Sequence, residues 1–113
     1  MVRTEILKSV QQYLQTLVAE GLDLSFGVLF GSQVKGTDHK WSDIDLVVVA
    51  SKFDGDYVHR DVAQLWGTAG VIDSRIEPIP CGEKQWEEDN GTPIIWIARK
   101  EGVIVTLEEE IIQ

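Results

Sequence analysis

The sequence is short of cysteine, proline, histidine and positive charge, and each shortage removes a class of explanation. A single cysteine, Cys81, has no partner within the chain. No internal disulfide staples the fold, which suits a reducing compartment. Ten lysines and arginines stand against nineteen aspartates and glutamates, a formal charge of −9. Proteins that follow phosphate backbones do so with Lys and Arg, so an extended nucleic-acid surface is not expected. No apolar run approaches the roughly 20 residues needed to cross a bilayer. The opening MVRTEILKSVQQYLQ is too polar for a signal peptide, and the expected location is the cytoplasm. The two histidines, His39 and His59, have no ligand-like spacing and are expected on the solvated surface. With 43% hydrophobic and 26% charged residues, the composition is that of a soluble globular chain. Residues 1–113 are read as one domain, burying roughly two thirds of the unfolded surface.

Hydrophobic periodicity then places the elements. Arg3–Glu20 carries Ile6, Leu7, Val10, Tyr13, Leu14, Leu17 and Val18 at spacings of three and four, an amphipathic helix stopped at Gly21. Leu24–Phe30 reads as a strand, Gln33–Thr37 as a short helical turn ended by Gly36, and Asp38–Ser42 as a polar loop containing Trp41. Asp43–Ala50 is the next strand, and its run Leu46-Val47-Val48-Val49 suggests burial on both faces. A second helix is expected over Asp54–Trp66, with Val58, Val62, Leu65 and Trp66 inward, broken by Gly67 and Gly70. Val71–Ile79 reads as a third strand closed by Pro80, and Glu83–Asp89 as a short acidic helix. Thr92 and Pro93 form an N-cap and first position for a helix running to Gly102. A short strand Val103–Leu107 and a tail Glu108–Gln113 complete the chain.

The chemistry concentrates between Phe26 and Val49. Asp43 and Asp45 are two apart on a strand, so their carboxylates share a face about 6.5–7 Å from each other, with Ile44 turned away. Two like charges so placed repel by a few kcal/mol at an effective dielectric of about 20. A divalent cation relieves that repulsion, and Mg²⁺ suits oxygen ligands of this kind, completing its shell with water and substrate phosphates. An isolated Asp-x-Asp more often marks only the polar start of a strand. Ahead of it, Val28-Leu29-Phe30 runs into Gly31, which allows a sharp turn or the close approach of a ligand. Ser32 follows where a helical turn begins, with free backbone N–H groups and a hydroxyl suited to phosphate. Gly31-Ser32, ten residues, then Asp43-x-Asp45 is far more specific than either half.

That combination, with Gly36 and with Ser42 before the first aspartate, resembles the signature of the DNA polymerase β nucleotidyltransferase superfamily, and the short length points to its minimal nucleotidyltransferases. The later RIEPIP and EGVIV segments are also similar to that group. The resemblance implies an α/β (α+β) fold with a small mixed sheet flanked by helices. It implies that Gly31, Ser32, Lys35 and Ser42 bind a nucleoside triphosphate, ATP first of all. Asp43, Asp45 and a third carboxylate would hold one or two Mg²⁺ ions and serve catalysis. Glu77 is favoured as that third carboxylate. Asp73, on the same face of the expected strand as Arg75 and Glu77, is the alternative, and either acid could pair with Arg75 instead. Gln33 and Lys35 stand where close relatives tend to have arginines.

By the same resemblance, such short chains pair with a helical HEPN-type protein in toxin–antitoxin systems and transfer AMP to a tyrosine of that partner. The competing reading is a non-catalytic binding module that inhibits its partner by contact alone. Homo-oligomer formation stays open. Trp41, Trp66, Trp86 and Trp96 are read as packing or interface anchors. Cys81, without a basic residue and histidine beside it, is not expected to be a nucleophile.

Overall fold

The computed structural model describes residues 2–37, 39, 41–57 and 59–107. Its scaffold is one four-stranded sheet of order β3-β2-β1-β4, built from β1 (Leu24–Phe30), β2 (Ile44–Ala50), β3 (Ile76–Cys81) and β4 (Val103–Val105). β1 runs antiparallel to both β2 and β4, whereas β2 and β3 are parallel. Helices α1 (Thr4–Ala19) and α3 (His59–Ile72) are the long ones. The others are α2 (Ser32–Lys35), α4 (Glu83–Glu88) and α5 (Pro93–Glu101), and a 3-10 turn spans Ser51–Asp54.

β2 organises the packing because both of its faces are covered. Ile44, Leu46, Val48 and Ala50 join Ile6, Val10, Tyr13, Leu14 and Leu17 of α1 and Leu65 and Ala69 of α3 in the main core. Val47 and Val49 point the other way, to a smaller cluster with Val28, Phe30, Cys81, Ile95 and Ala98. The alternation that puts Ile44 into the main core turns Asp45 toward the smaller cluster. Tyr13 is buried and its hydroxyl donates to the Leu65 carbonyl at 2.9 Å, tying α1 to α3. Burial holds the Tyr13 phenol well above its ordinary pKa.

Most elements fall where the periodicity put them, and the departures have physical causes. The second helix does not start at Asp54 or stop at Gly67. It runs His59–Ile72, straight through Gly67 and Gly70. A glycine in a helix costs about 1 kcal/mol, and the buried Leu65, Thr68 and Ala69 of the same helix outweigh it. Trp66 lies on the outer face and is half exposed, not inward, and Val58 lies outside the described residues. Asp54 serves another helix, accepting from the backbone N–H groups of Lys84 and Gln85 at 3.0–3.2 Å and so capping α4.

The third strand begins at Ile76, not Val71, and continues through Pro80 to Cys81. Proline is tolerated because β3 is an edge strand. Alternate N–H groups of a parallel strand point away from its neighbour, and Pro78 and Pro80 share that outward parity. β4 is shorter than expected, and the tail Glu108–Gln113 lies outside the described residues. At α5 the N-cap is Thr92 and Pro93 occupies the first turn, as expected. The Thr92 hydroxyl, however, donates to Asp89 at 2.6 Å instead of capping. Among the described residues no helix is long and apolar enough to cross a membrane.

A built Cβ meets nothing within 4 Å at either Gly67 or Gly70. Gly67→Ala and Gly70→Ala are therefore expected each to stabilise the protein, by about 0.5–1 kcal/mol, through the smaller entropy loss of alanine. Thermal melts should show both single variants above wild type and the double variant higher still; a lower melting temperature would contradict the open helical environment.

Candidate active site

The predicted acidic residues meet at one end of the sheet, where β1 finishes and β2 and β3 begin. Parallel pairing starts at Ile44 opposite Ile76 and sets Asp45 opposite Glu77 at the next step. The Ile44 N–H donates to the Arg75 carbonyl at 2.8 Å, which fixes that register. On the other side of β2, Phe30 is opposite Asp45. Asp43 sits one residue before β2, exposed, and its carboxyl shares a hydrogen bond with Glu77. The carboxyl groups of Asp45 on β2, Glu77 on β3 and Asp43 just ahead of β2 thus lie together, with the end of β1 beside them.

The electrostatics record this crowding. Burial, and then the charge of Asp43, raises the Asp45 pKa above the usual carboxylate range. Glu77 is raised as well, first by its hydrogen bond with Asp43, then by burial and the charges of Asp43 and Asp45. Asp73 behaves in the opposite way. The chain between α3 and β3 brings it onto Arg75, whose Nε and Nη2 donate to its two oxygens at 3.0 and 2.8 Å and whose backbone N–H adds a third bond. These bonds lower its pKa. The two candidates for third carboxylate are thereby separated: neither Asp73 nor Arg75 is on a strand, Asp73 is engaged by Arg75, and Glu77 faces the aspartates.

The turn at Gly31 is part of the same arrangement. Gly31 has φ 80° and ψ −148°, a conformation left almost entirely to glycine. A Cβ there would collide with Oδ2 of Asp45. The close approach that glycine permits is thus made by a carboxylate of the site itself. Ser32 opens α2, and its carbonyl accepts from the Gly36 and Thr37 N–H groups at 3.1 and 3.3 Å, with Gly36 at φ 78° ending the helix.

The remaining predicted residues are engaged locally. Lys35 is exposed and its Nζ lies 3.5 Å from Glu101 of α5. A triphosphate would have to compete for it with a surface pair worth about 0–1 kcal/mol. Ser42 closes the approach loop, its Oγ accepting from the His39 N–H at 2.8 Å while its own N–H donates to the His39 carbonyl at 2.9 Å. Of the tryptophans, Trp86 packs edge-on to Phe26 with ring centroids 5.8 Å apart. Trp96 lies under Lys100, and Trp41 is 74% exposed on the loop leading to Asp43. Cys81 is buried and its thiol is pushed up to about 12, mainly by burial, which leaves it inert.

One site residue carried no signal in the pattern. Gln33 is 2% exposed and its Nε2 donates to the Asp43 carbonyl at 3.3 Å. A single polar residue inside a helical turn reads as solvated, and only its burial sets it apart.

As the side chains stand, no three acidic, histidine or cysteine residues among the described ones converge to enclose an ion. Asp43 and Glu77 bond to each other, and Asp45 packs on Gly31. The donor set still fits a divalent cation: carboxylates are the hard oxygen ligands it takes, and its charge would offset the repulsion between Asp43, Asp45 and Glu77.

Two outcomes follow from this geometry. Gly31→Ala should cost about 1–3 kcal/mol for the backbone strain alone, plus the collision with Asp45. Part of that loss should be recovered in a Gly31→Ala, Asp45→Ala double variant, so denaturant melts of the cycle should give a favourable coupling; additive losses would contradict the contact. Second, a raised carboxylate pKa means that the native state binds its proton more tightly than the unfolded chain. The associated stability is present in acid and lost as pH rises through the raised values. With metal chelated, Asp45→Asn should therefore melt above wild type at neutral pH, and the difference should shrink as the pH is taken below the carboxylate range.

Comparisons with known proteins bear on the family and the fold. The family model of the nucleotidyltransferase domain matches residues 5–101. Among solved structures, a Sulfolobus solfataricus protein described as a candidate nucleotidyltransferase superposes with a TM-score of 0.61 at 18% identity, over 88% of this chain and 78% of that one. A toxin–antitoxin crystallised with AMP-PNP gives a TM-score of 0.59 at 21% identity, over 90% of this chain and 78% of that one. A mutant MntA-HpeT toxin–antitoxin gives 0.56 at 18% identity with the same coverage. At these identities the likeness is one of fold. A search of curated proteins returns no significant match. The family match spans both the Gly31-Ser32 turn and the acidic residues on β2 and β3, and on that ground the chain belongs to the nucleotidyltransferase domain family and is a nucleotidyltransferase.

Proposed function

We propose that this chain transfers AMP from ATP to a hydroxyl group on a partner protein, in the cytoplasm, as the antitoxin half of a toxin–antitoxin pair whose other member is a HEPN-type helical protein. The observation that carries the transfer reading is the pairing of Asp45 with Glu77 across the parallel strands, with Asp43 bonded to Glu77 and the Gly31 turn packed on Asp45. The protein partner is suggested by the toxin–antitoxin neighbours, and the adenine nucleotide by the AMP-PNP bound to one of them.

In this reading Asp43, Asp45 and Glu77 would hold Mg²⁺, which would supply positive charge against that of the phosphate groups. The chain's own work is positional. The β2–β3 register fixes Asp45 and Glu77 side by side. Glu77, held opposite Asp45, is placed to take the proton of the incoming hydroxyl. Gly31 and Ser32 border the carboxylates and would orient the triphosphate, with Lys35 released from Glu101 and Ser42 steadying the approach loop. The electron pair of the acceptor oxygen forms the new bond to the α-phosphorus, and the bond to the bridging oxygen breaks, releasing pyrophosphate.

The test is a transfer assay with ATP, Mg²⁺ and the protein that co-purifies with this chain. Intact-mass spectrometry should show the partner heavier by one nucleoside monophosphate. The Asp43→Asn, Asp45→Asn variant should still bind that partner and leave its mass unchanged. A partner that wild type silences without any mass change would establish the contact-only binding module instead.

A further inference from the structure

We propose that Gln33 is a positioning residue for the metal-binding carboxylates, acting through the main chain of Asp43. The inference rests on the reading of Asp43, Asp45 and Glu77 as a divalent-cation site. β1 ends at Phe30, opposite Asp45, and the Gly31 turn then diverts the chain into α2. Asp43 lies two residues before Asp45, beyond the last β1–β2 pair, where no β1 residue remains to hold its backbone. The Gln33 side chain takes over, its Nε2 donating to the Asp43 carbonyl at 3.3 Å. The first aspartate is thus anchored by a side chain from the turn that borders the site, and the position of one half of the signature depends on the other.

The same side chain carries a cost that points to function. Gln33 is 2% exposed, and its buried Oε1 has no hydrogen-bond partner among the described residues. Orphaned buried acceptors are rare and destabilising. Methionine has nearly the same length and would fill the space without that penalty. An amide at this position is opposed by stability, and what it alone supplies is the bond to Asp43. Local rules are broken in this way mainly where a site needs it.

The test is Mn²⁺ binding followed by electron paramagnetic resonance without nucleotide, together with thermal melts in chelator. Gln33→Met is expected to melt at or above wild type and to bind Mn²⁺ about 10-fold more weakly, the lower end of what loss of an outer-shell partner costs. Gln33→Ala, which leaves a cavity, should melt lower yet show the same loss of affinity. Leu14→Ala, a core variant on α1, should melt lower and bind Mn²⁺ as wild type does. Unchanged Mn²⁺ affinity in the folded Gln33 variants overturns the positioning role while leaving the metal site standing. If wild type binds no Mn²⁺, or Asp43→Asn binds it equally well, the metal reading fails and this inference falls with it.

Discussion

The structure depends on keeping three carboxyl groups together against their mutual repulsion. Asp45 and Glu77 are opposite each other because β2 and β3 are parallel and in a register set at Ile44 and Ile76. Both isoleucines are buried, so a slip by one residue would expose them and bury the acids. The hydrophobic anchoring of one face therefore dictates the electrostatics of the other. The pKa of Asp45 is raised first by burial and then by the charge of Asp43, and that of Glu77 by its hydrogen bond with Asp43, by burial and by both aspartate charges.

The uneven covering of the sheet follows from the same constraint. The face toward α1 and α3 is packed along the whole of β2, whereas the face toward α5 is apolar only from Val47 onward. Its first positions are given to Asp45 and, on β3, Glu77. A position at the edge of a small second core leaves the carboxylates partly in solvent, while Phe30 and Val47 hold the strands beneath. Gly31 completes the design, since a side chain there would occupy the space of the Asp45 carboxylate.

Elsewhere the acidic residues do structural work. Asp54 caps α4 from a distance of thirty positions, and its pKa is lowered, first of all by the Lys84 N–H. Asp89 accepts from the N–H groups of Gly91 and Thr92 and from the Thr92 hydroxyl, which holds it well below the carboxylate range. Asp73 grips Arg75. Donors thus lower the pKa values of Asp54, Asp73 and Asp89, whereas those of Asp45 and Glu77, which face each other across β2 and β3, are raised.

By itself the sequence determined what repeats locally. The apolar spacing of α1, the alternation and continuous run of β2, Pro93 at the head of α5 and the Gly31-Ser32 to Asp43-x-Asp45 spacing each rest on contacts a few residues apart, where period and turn chemistry suffice. Only the tertiary structure decided the rest. Gly67 and Gly70 read as a break, yet packing of Leu65 and Ala69 carries α3 through them. Asp73 and Glu77 are alike in pattern, and their separation depends on where β3 joins β2, a long-range register that local periodicity does not contain. Gln33 read only as the start of a short helical turn; it is buried because the turn that follows β1 folds back on the strand that carries Asp45. Burial is a property of what arrives from elsewhere in the chain, and for that reason the residues most dependent on it were the ones the pattern could not place.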